Sequence, residues 1–135
     1  MKSKTFLDFL PTNFRHEKSF FIQNNLTDFE KLSNLSDLHI NEILRKSSLC
    51  TLNNLKKIRA IAIFKKEIAI SPPEAYLLLH CGIGSIKSLS LSTPYELESK
   101  IRRLERRLRV KTETDITFTL LKKWIKRAKQ IYKSI

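Results

Sequence analysis

Five arginines fall within eight residues, at Arg102, Arg103, Arg106, Arg107 and Arg109, with Glu105 as the one acid between them. Such a run repels itself, and the chemistry that relieves the repulsion is the binding of an anion. On a helix turning about 100° per residue, Arg102, Arg103, Arg106 and Arg109 point away from an apolar stripe of Leu97, Ile101, Leu104 and Leu108, and Lys100 and Arg107 flank that stripe. Further on, Lys122, Lys126, Lys129 and Lys133 lie opposite Trp124 and Ala128. If the two helices form an antiparallel hairpin, their faces merge into one cationic surface. Such a surface holds a phosphate backbone by counterion release, with steep salt dependence and little sequence preference. The competing reading is that a lysine-rich chain simply solvates its helices with charge.

A second candidate for phosphate contact precedes the arginines. Leu78-Leu79-His80-Cys81-Gly82-Ile83-Gly84 has the Gly-hydrophobic-Gly form of a helix-hairpin-helix turn, in which glycines permit positive φ and bring backbone N–H groups close to a phosphate. Lys87 is the cation that follows it, within Ser85-Ile86-Lys87. Enzyme chemistry is not indicated. His80 and Cys81 are adjacent on a helix, so they point about 100° apart and do not make a nucleophile and base pair. No residues group as a metal site, a phosphate loop or a catalytic triad, and no cofactor is implied. Trp124 falls on a core face at helical spacing and reads as packing rather than base stacking.

The charge is unevenly spread. The net charge of +13 breaks down as +1 over residues 1–55, +2 over 56–99 and +10 over 100–135. Cys50 and Cys81 stand alone, without zinc-ligand spacing, and read as small core residues. The longest apolar run, Ala75 to Leu79, is far too short to span a bilayer, and no signal sequence is evident, so a soluble intracellular monomer with no membrane insertion is expected.

Helices must carry these residues. Leu26 to Ser33 aligns with Ile83 to Ser90 at an offset of 57, and Ile40, Leu44 and Arg45 fall on Leu97, Ile101 and Arg102 at the same offset. Leu55-Lys56-Lys57 matches Leu121-Lys122-Lys123 at 66, so the second copy has gained nine residues before its final helix. Thr27-Asp28-Phe29-Glu30, Ser71-Pro72-Pro73-Glu74 and Thr93-Pro94-Tyr95-Glu96 have capping-box spacing, Ser36 can cap a helix, and Thr51 to Ile68 reads as the longest helix of the first half. No alternating strand pattern is present. The expected fold is all-α: two tandem helix-hairpin-helix-like repeats packed as one compact domain of about eight helices. Residues 1–13 form an N-terminal arm, 14–70 the first repeat and 71–135 the second. In the first repeat Asn25-Leu26-Thr27 stands at the hairpin, which reads as degenerate for phosphate contact.

Leu79-His80-Cys81-Gly82-Ile83, Ile86, Leu89, Thr93-Pro94-Tyr95-Glu96-Leu97 and Trp124-Ile125-Lys126-Arg127-Ala128 resemble a mostly cyanobacterial and plastid family of uncharacterised domains built from helix-hairpin-helix-like repeats. The resemblance covers roughly residues 15–132 and implies an all-helical fold with no known chemistry, in the bacterial cytoplasm or the plastid stroma. More loosely, the Gly-Ile, Leu, Thr-Pro-x-x-Leu rhythm is similar to the DNA-binding C-terminal domain of the bacterial RNA polymerase α subunit. The functional expectation is a non-enzymatic module that binds DNA or RNA through Gly82, Ile83, Gly84, Lys87, the arginines and the α-helical lysines named above. The alternative is an adapter that docks on an acidic protein partner, using the Phe6 to Leu10 segment as well.

Overall fold

The computed structural model describes residues 6–108 and 116–133. After two short 3-10 turns, Phe6–Phe9 and Thr12–Phe14, eight helices follow: α1 (Arg15–Gln23), α2 (Phe29–Ser33), α3 (Asp37–Lys46), α4 (Leu52–Ile68), α5 (Pro72–His80), α6 (Ile86–Ser90), α7 (Pro94–Leu108) and α8 (Phe118–Lys133). Among the described residues there is no strand. The fold is all-α, built on one buried apolar cluster that draws Phe14, Phe21 and Phe64 from the first half and Leu78, Leu89 and Leu121 from the second.

The helix starts follow from side chains that satisfy first-turn N–H groups left without intrahelical partners. Ser36 Oγ accepts from His39 N at 3.0 Å, and Thr51 Oγ1 from Asn54 N at 3.2 Å. Ser85 and Ser88 cap α6 reciprocally. At α2 the cap is Asp28 rather than Thr27, because Asp28 Oδ1 takes the Glu30 N–H at 3.1 Å. At the last helix, Ile116 is buried with the core face but precedes the first turn of α8.

α1, α2 and the first residue of α3 stand 57 residues before α5, α6 and the first residue of α7, and α4 begins 66 before α8. α7 has 15 residues against 10 in α3. α2 packs broadly on α4, as α6 does on α8.

The two hairpin turns share their hydrogen bonding as well. After α1, Asn25 takes φ 57°, Asn25 N donates to Ile22 O at 3.3 Å and Leu26 N to Phe21 O at 2.8 Å. After α5, Gly82 takes φ 85°, Gly82 N donates to Leu79 O at 3.0 Å and Ile83 N to Leu78 O at 2.9 Å. Both are Schellman closures, in which a left-handed residue lets the next amide bond back into the helix. Asn25 therefore supplies the backbone conformation that glycine supplies in the second turn. A third left-handed residue, Ala69 at φ 63°, closes α4, and Ile70 N reaches back to Phe64 O at 3.3 Å.

Of the Phe6 to Leu10 segment expected to dock on a partner, Leu7 is fully buried in the core, Leu10 packs partly buried against it, and the Phe6–Phe9 turn packs on α5.

Two glutamates are buried at the same register, Glu17 on α1 and Glu74 on α5. Glu17 reaches across to the start of α4, where Oε2 accepts from Thr51 N at 2.8 Å and Oε1 from Asn54 Nδ2 at 3.2 Å. Glu74 stays local: Oε1 takes the Ser71 hydroxyl at 2.6 Å and Oε2 has no partner.

Candidate nucleic-acid interface

The arginines of α7 are sorted by their neighbours. Arg102 is a clamp: Nη2 donates to Ile116 O at 2.9 Å and Nη1 pairs with Glu105 at 3.2 Å. It ties α7 to the chain entering α8, while its side chain stays 47 % exposed. Arg103, Arg106 and Arg107 are exposed and make no ion pair with any described residue. Arg109 lies outside the described residues. On α8, Lys126, Lys129 and Lys133 are exposed and unpaired in the same sense, while Lys122 Nζ sits over the Phe118 ring, 5.7 Å from its centroid.

The two helices do not fold back on each other as a simple antiparallel hairpin. Tyr95, on the first turn of α7, meets Phe118, on the first turn of α8, with ring centroids 4.6 Å apart. With the Arg102 to Ile116 bond, this places the start of α8 beside the first half of α7. The physical reason is that α8 takes its apolar face, Leu121, Trp124, Ile125 and Ala128, onto α6 and the end of α4. Two concave areas are lined by some of the cations, while Arg106, Lys122, Lys129 and Lys133 line neither of them.

The first is a notch of about 180 Å³ lined by His80, Cys81, Lys100, Arg103, Leu104 and Arg107. Here the turn after α5 meets the Lys100, Arg103, Arg107 side of α7. The second is an open groove of about 510 Å³ between the end of α4 and α8, where Lys66, Lys123, Lys126 and Arg127 surround Leu120 and Trp124. Arg127 Nε also leans on Glu67 O at 3.5 Å. Trp124 is 4 % exposed, so it packs as a core residue and gives the groove little more than an edge.

The hairpin turn contributes less directly than its sequence suggests. Ile83 is buried, and the Gly82 and Ile83 amides are spent in closing α5. Gly82 serves the backbone, since its positive φ strains any side chain. Gly84 is exposed, has no positive φ, and an added Cβ would meet Leu79 Cδ2 at an ordinary 3.7 Å. Gly82→Ala is therefore expected to cost about 1–2 kcal/mol in a urea unfolding curve, and Gly84→Ala to stay within about 0.5 kcal/mol of wild type. Lys87 is exposed on α6.

Both thiols are shifted upward. Burial pushes the Cys81 thiol up, against the opposing pull of Lys100, and burial likewise raises Cys50, opposed by a hydrogen bond from Ser47 and aided by Glu17. An activated cysteine is shifted the other way. Cys50 is buried in the core as expected, whereas Cys81 is only half-buried and borders the notch. Among the described residues no group of His, Cys, Asp or Glu could hold a metal ion, and no helix is long and apolar enough to cross a membrane.

Sequence reasoning missed the placement of His80 in the notch and the clamp at Arg102. The i, i+3, i+7 spacing of Lys100, Arg103 and Arg107 carried the first signal, because it defines one side of a helix.

Searches of curated proteins and of solved structures found no match. A family model does match, over residues 11–131, a span that runs from the 3-10 turn before α1 almost to the end of α8 and so takes in both cationic areas. The chain belongs to that family, the domain of unknown function DUF4332.

Proposed function

We propose that this chain is a non-enzymatic nucleic-acid-binding module that contacts the phosphate backbone with little sequence preference. The observation that supports the reading is the set of exposed cations without acidic partners: Lys100, Arg103, Arg106 and Arg107 on α7, and Lys126, Lys129 and Lys133 on α8, among the described residues. Unpaired cations held on fixed helices gain little from solvation alone that they would not gain in solution, and they gain counterion-release entropy when a polyanion binds. The matched helix spans and the paired left-handed turns support treating residues 14–70 and 71–135 as two helix-hairpin-helix-like repeats. The resembled family favours the bacterial cytoplasm or plastid stroma as the setting.

The test is a salt titration of binding to mixed-sequence DNA and RNA, each as duplex and single strand. The expected result is micromolar binding whose logarithm falls linearly with the logarithm of salt, with a slope magnitude of about 3 to 6 if four to six phosphates are neutralised. A salt-independent affinity, or no binding at about 100 mM salt, overturns the reading. The second result favours the alternative, an adapter for an acidic protein surface, for which Leu91 and Tyr95 at 72 % and 76 % exposure offer apolar contacts beside α7.

A further inference from the structure

The notch between the α5 turn and α7 differs from the rest of the basic surface in being concave and lined by three cations with no acid. Lys100, Arg103 and Arg107 come from one side of α7, and Leu104 and Cys81 line it with them. From α5, the His80 ring stands edge-on to Tyr76 at 4.5 Å between centroids, and Tyr76 in turn meets the buried Phe14 at 5.9 Å, so the imidazole is positioned by the core. None of Lys100, Arg103 and Arg107 has an ion-pair partner among the described residues. Three like charges facing one small concavity are a standing electrostatic cost, and a multivalent oxyanion with several acceptors cancels it.

We propose that this notch is the seat of one phosphoryl group, held by Lys100, Arg103 and Arg107 with His80 at its edge. The inference rests on the nucleic-acid reading and deepens it by naming where a phosphate is gripped. At about 180 Å³ the notch suits a single tetrahedral group rather than a base with its sugar. Arginine supplies paired N–H donors matched to phosphate oxygens, and lysine a point charge. The field around His80 is cationic on two sides. Partial burial, then Lys57 on α4, then Arg107 on α7 hold its pKa below the ordinary value. The charged and titratable groups around it are Lys57, Tyr76, Cys81, Lys100, Arg103 and Arg107, none of them an acid that is ionised at neutral pH.

An anion in the notch reverses that effect, because it favours the protonated imidazole. The experiment follows the His80 ring protons by NMR across pH, without ligand, with inorganic phosphate, and with a short single strand carrying either a 5′-phosphate or a 5′-hydroxyl. The expected result is that inorganic phosphate raises the His80 midpoint by about one unit, while His16 and His39 do not move. Arg103→Gln weakens the phosphate affinity read from this shift by about tenfold, and Lys31→Gln, an exposed cation elsewhere, leaves it unchanged. A response to the 5′-phosphate strand alone assigns the seat to strand ends; a response to both strands assigns it to the internal backbone. An unmoved His80 at saturating phosphate overturns the proposal, even where salt-sensitive binding of the strands persists and the broader reading stands. A response to inorganic phosphate with no strand bound under any salt condition keeps the seat and removes the nucleic-acid reading.

Discussion

Arg103→Glu combined with Arg107→Glu is expected to weaken nucleic-acid binding by more than about 100-fold near 100 mM salt, with the helical circular dichroism signal unchanged. The pair removes two cations and installs two anions beside the notch, so both the affinity and the steepness of its salt dependence fall. The salt slope should drop by about one unit, for the one phosphate that the two side chains hold together. Neither side chain makes an ion pair or hydrogen bond with a described residue, which separates loss of binding from loss of fold. Arg102→Glu is the contrasting variant. It breaks the bonds to Ile116 O and Glu105, so its expected signature is a lower unfolding midpoint. Full-strength binding by the Arg103 and Arg107 double reversal would place the interface elsewhere, with the α4 and α8 groove as the remaining cationic area.

The largest expected effect on stability belongs to Glu17→Ala, at about 3 kcal/mol of destabilisation in a urea or thermal unfolding experiment. The Glu17 side chain is fully buried and accepts two hydrogen bonds, from the Thr51 amide that opens α4 and from the Asn54 side chain. Removal takes the acceptor from the Thr51 N–H at a helix N-terminus, where the helix dipole also favours a negative charge, and leaves a void where the buried side chain stood. Relief from burying a carboxylate offsets part of this, but a satisfied buried acceptor costs more to remove than its net contribution. Glu74→Ala is expected to cost far less, about 1 kcal/mol, because one of its oxygens has no partner and the other bonds only to Ser71. Equal losses for the two variants would contradict this account. A stability of 5–15 kcal/mol is typical of such domains, so the Glu17 change is a large share of the total.

What could be read from the sequence was mostly local. Ser36, Thr51, Ser71 and Thr93 declare helix starts within three or four residues of themselves, and Gly82 declares a left-handed turn. The all-α class follows from these and from the apolar spacing. Thr27 was the near miss, because the carboxylate of Asp28 beside it takes the Glu30 amide instead. The non-local features were not legible. Glu17 meets Thr51 across 34 residues, and Arg102 meets Ile116 across 14. Helical-wheel reasoning put Arg102 on the free face, but a long guanidinium reaches a carbonyl its own helix does not supply. The notch depends on how α5 crosses α7, which no periodicity within either helix encodes.

The left-handed Ala69 has a kinetic consequence. Only residues 69–71 separate α4 from α5, and of these Ile70 is fully buried while Ser71 is committed to capping α5. An alanine held at positive φ, pinned by hydrogen bonds on both sides, leaves the joint almost no soft dihedrals with which to hinge. On the proposed reading, a ligand at either cationic area meets α4 and α5 in a fixed relation to each other. Association should then be a single bimolecular event, limited by electrostatically steered encounter, with an observed rate that rises linearly with ligand concentration and shows no plateau from a slow opening step.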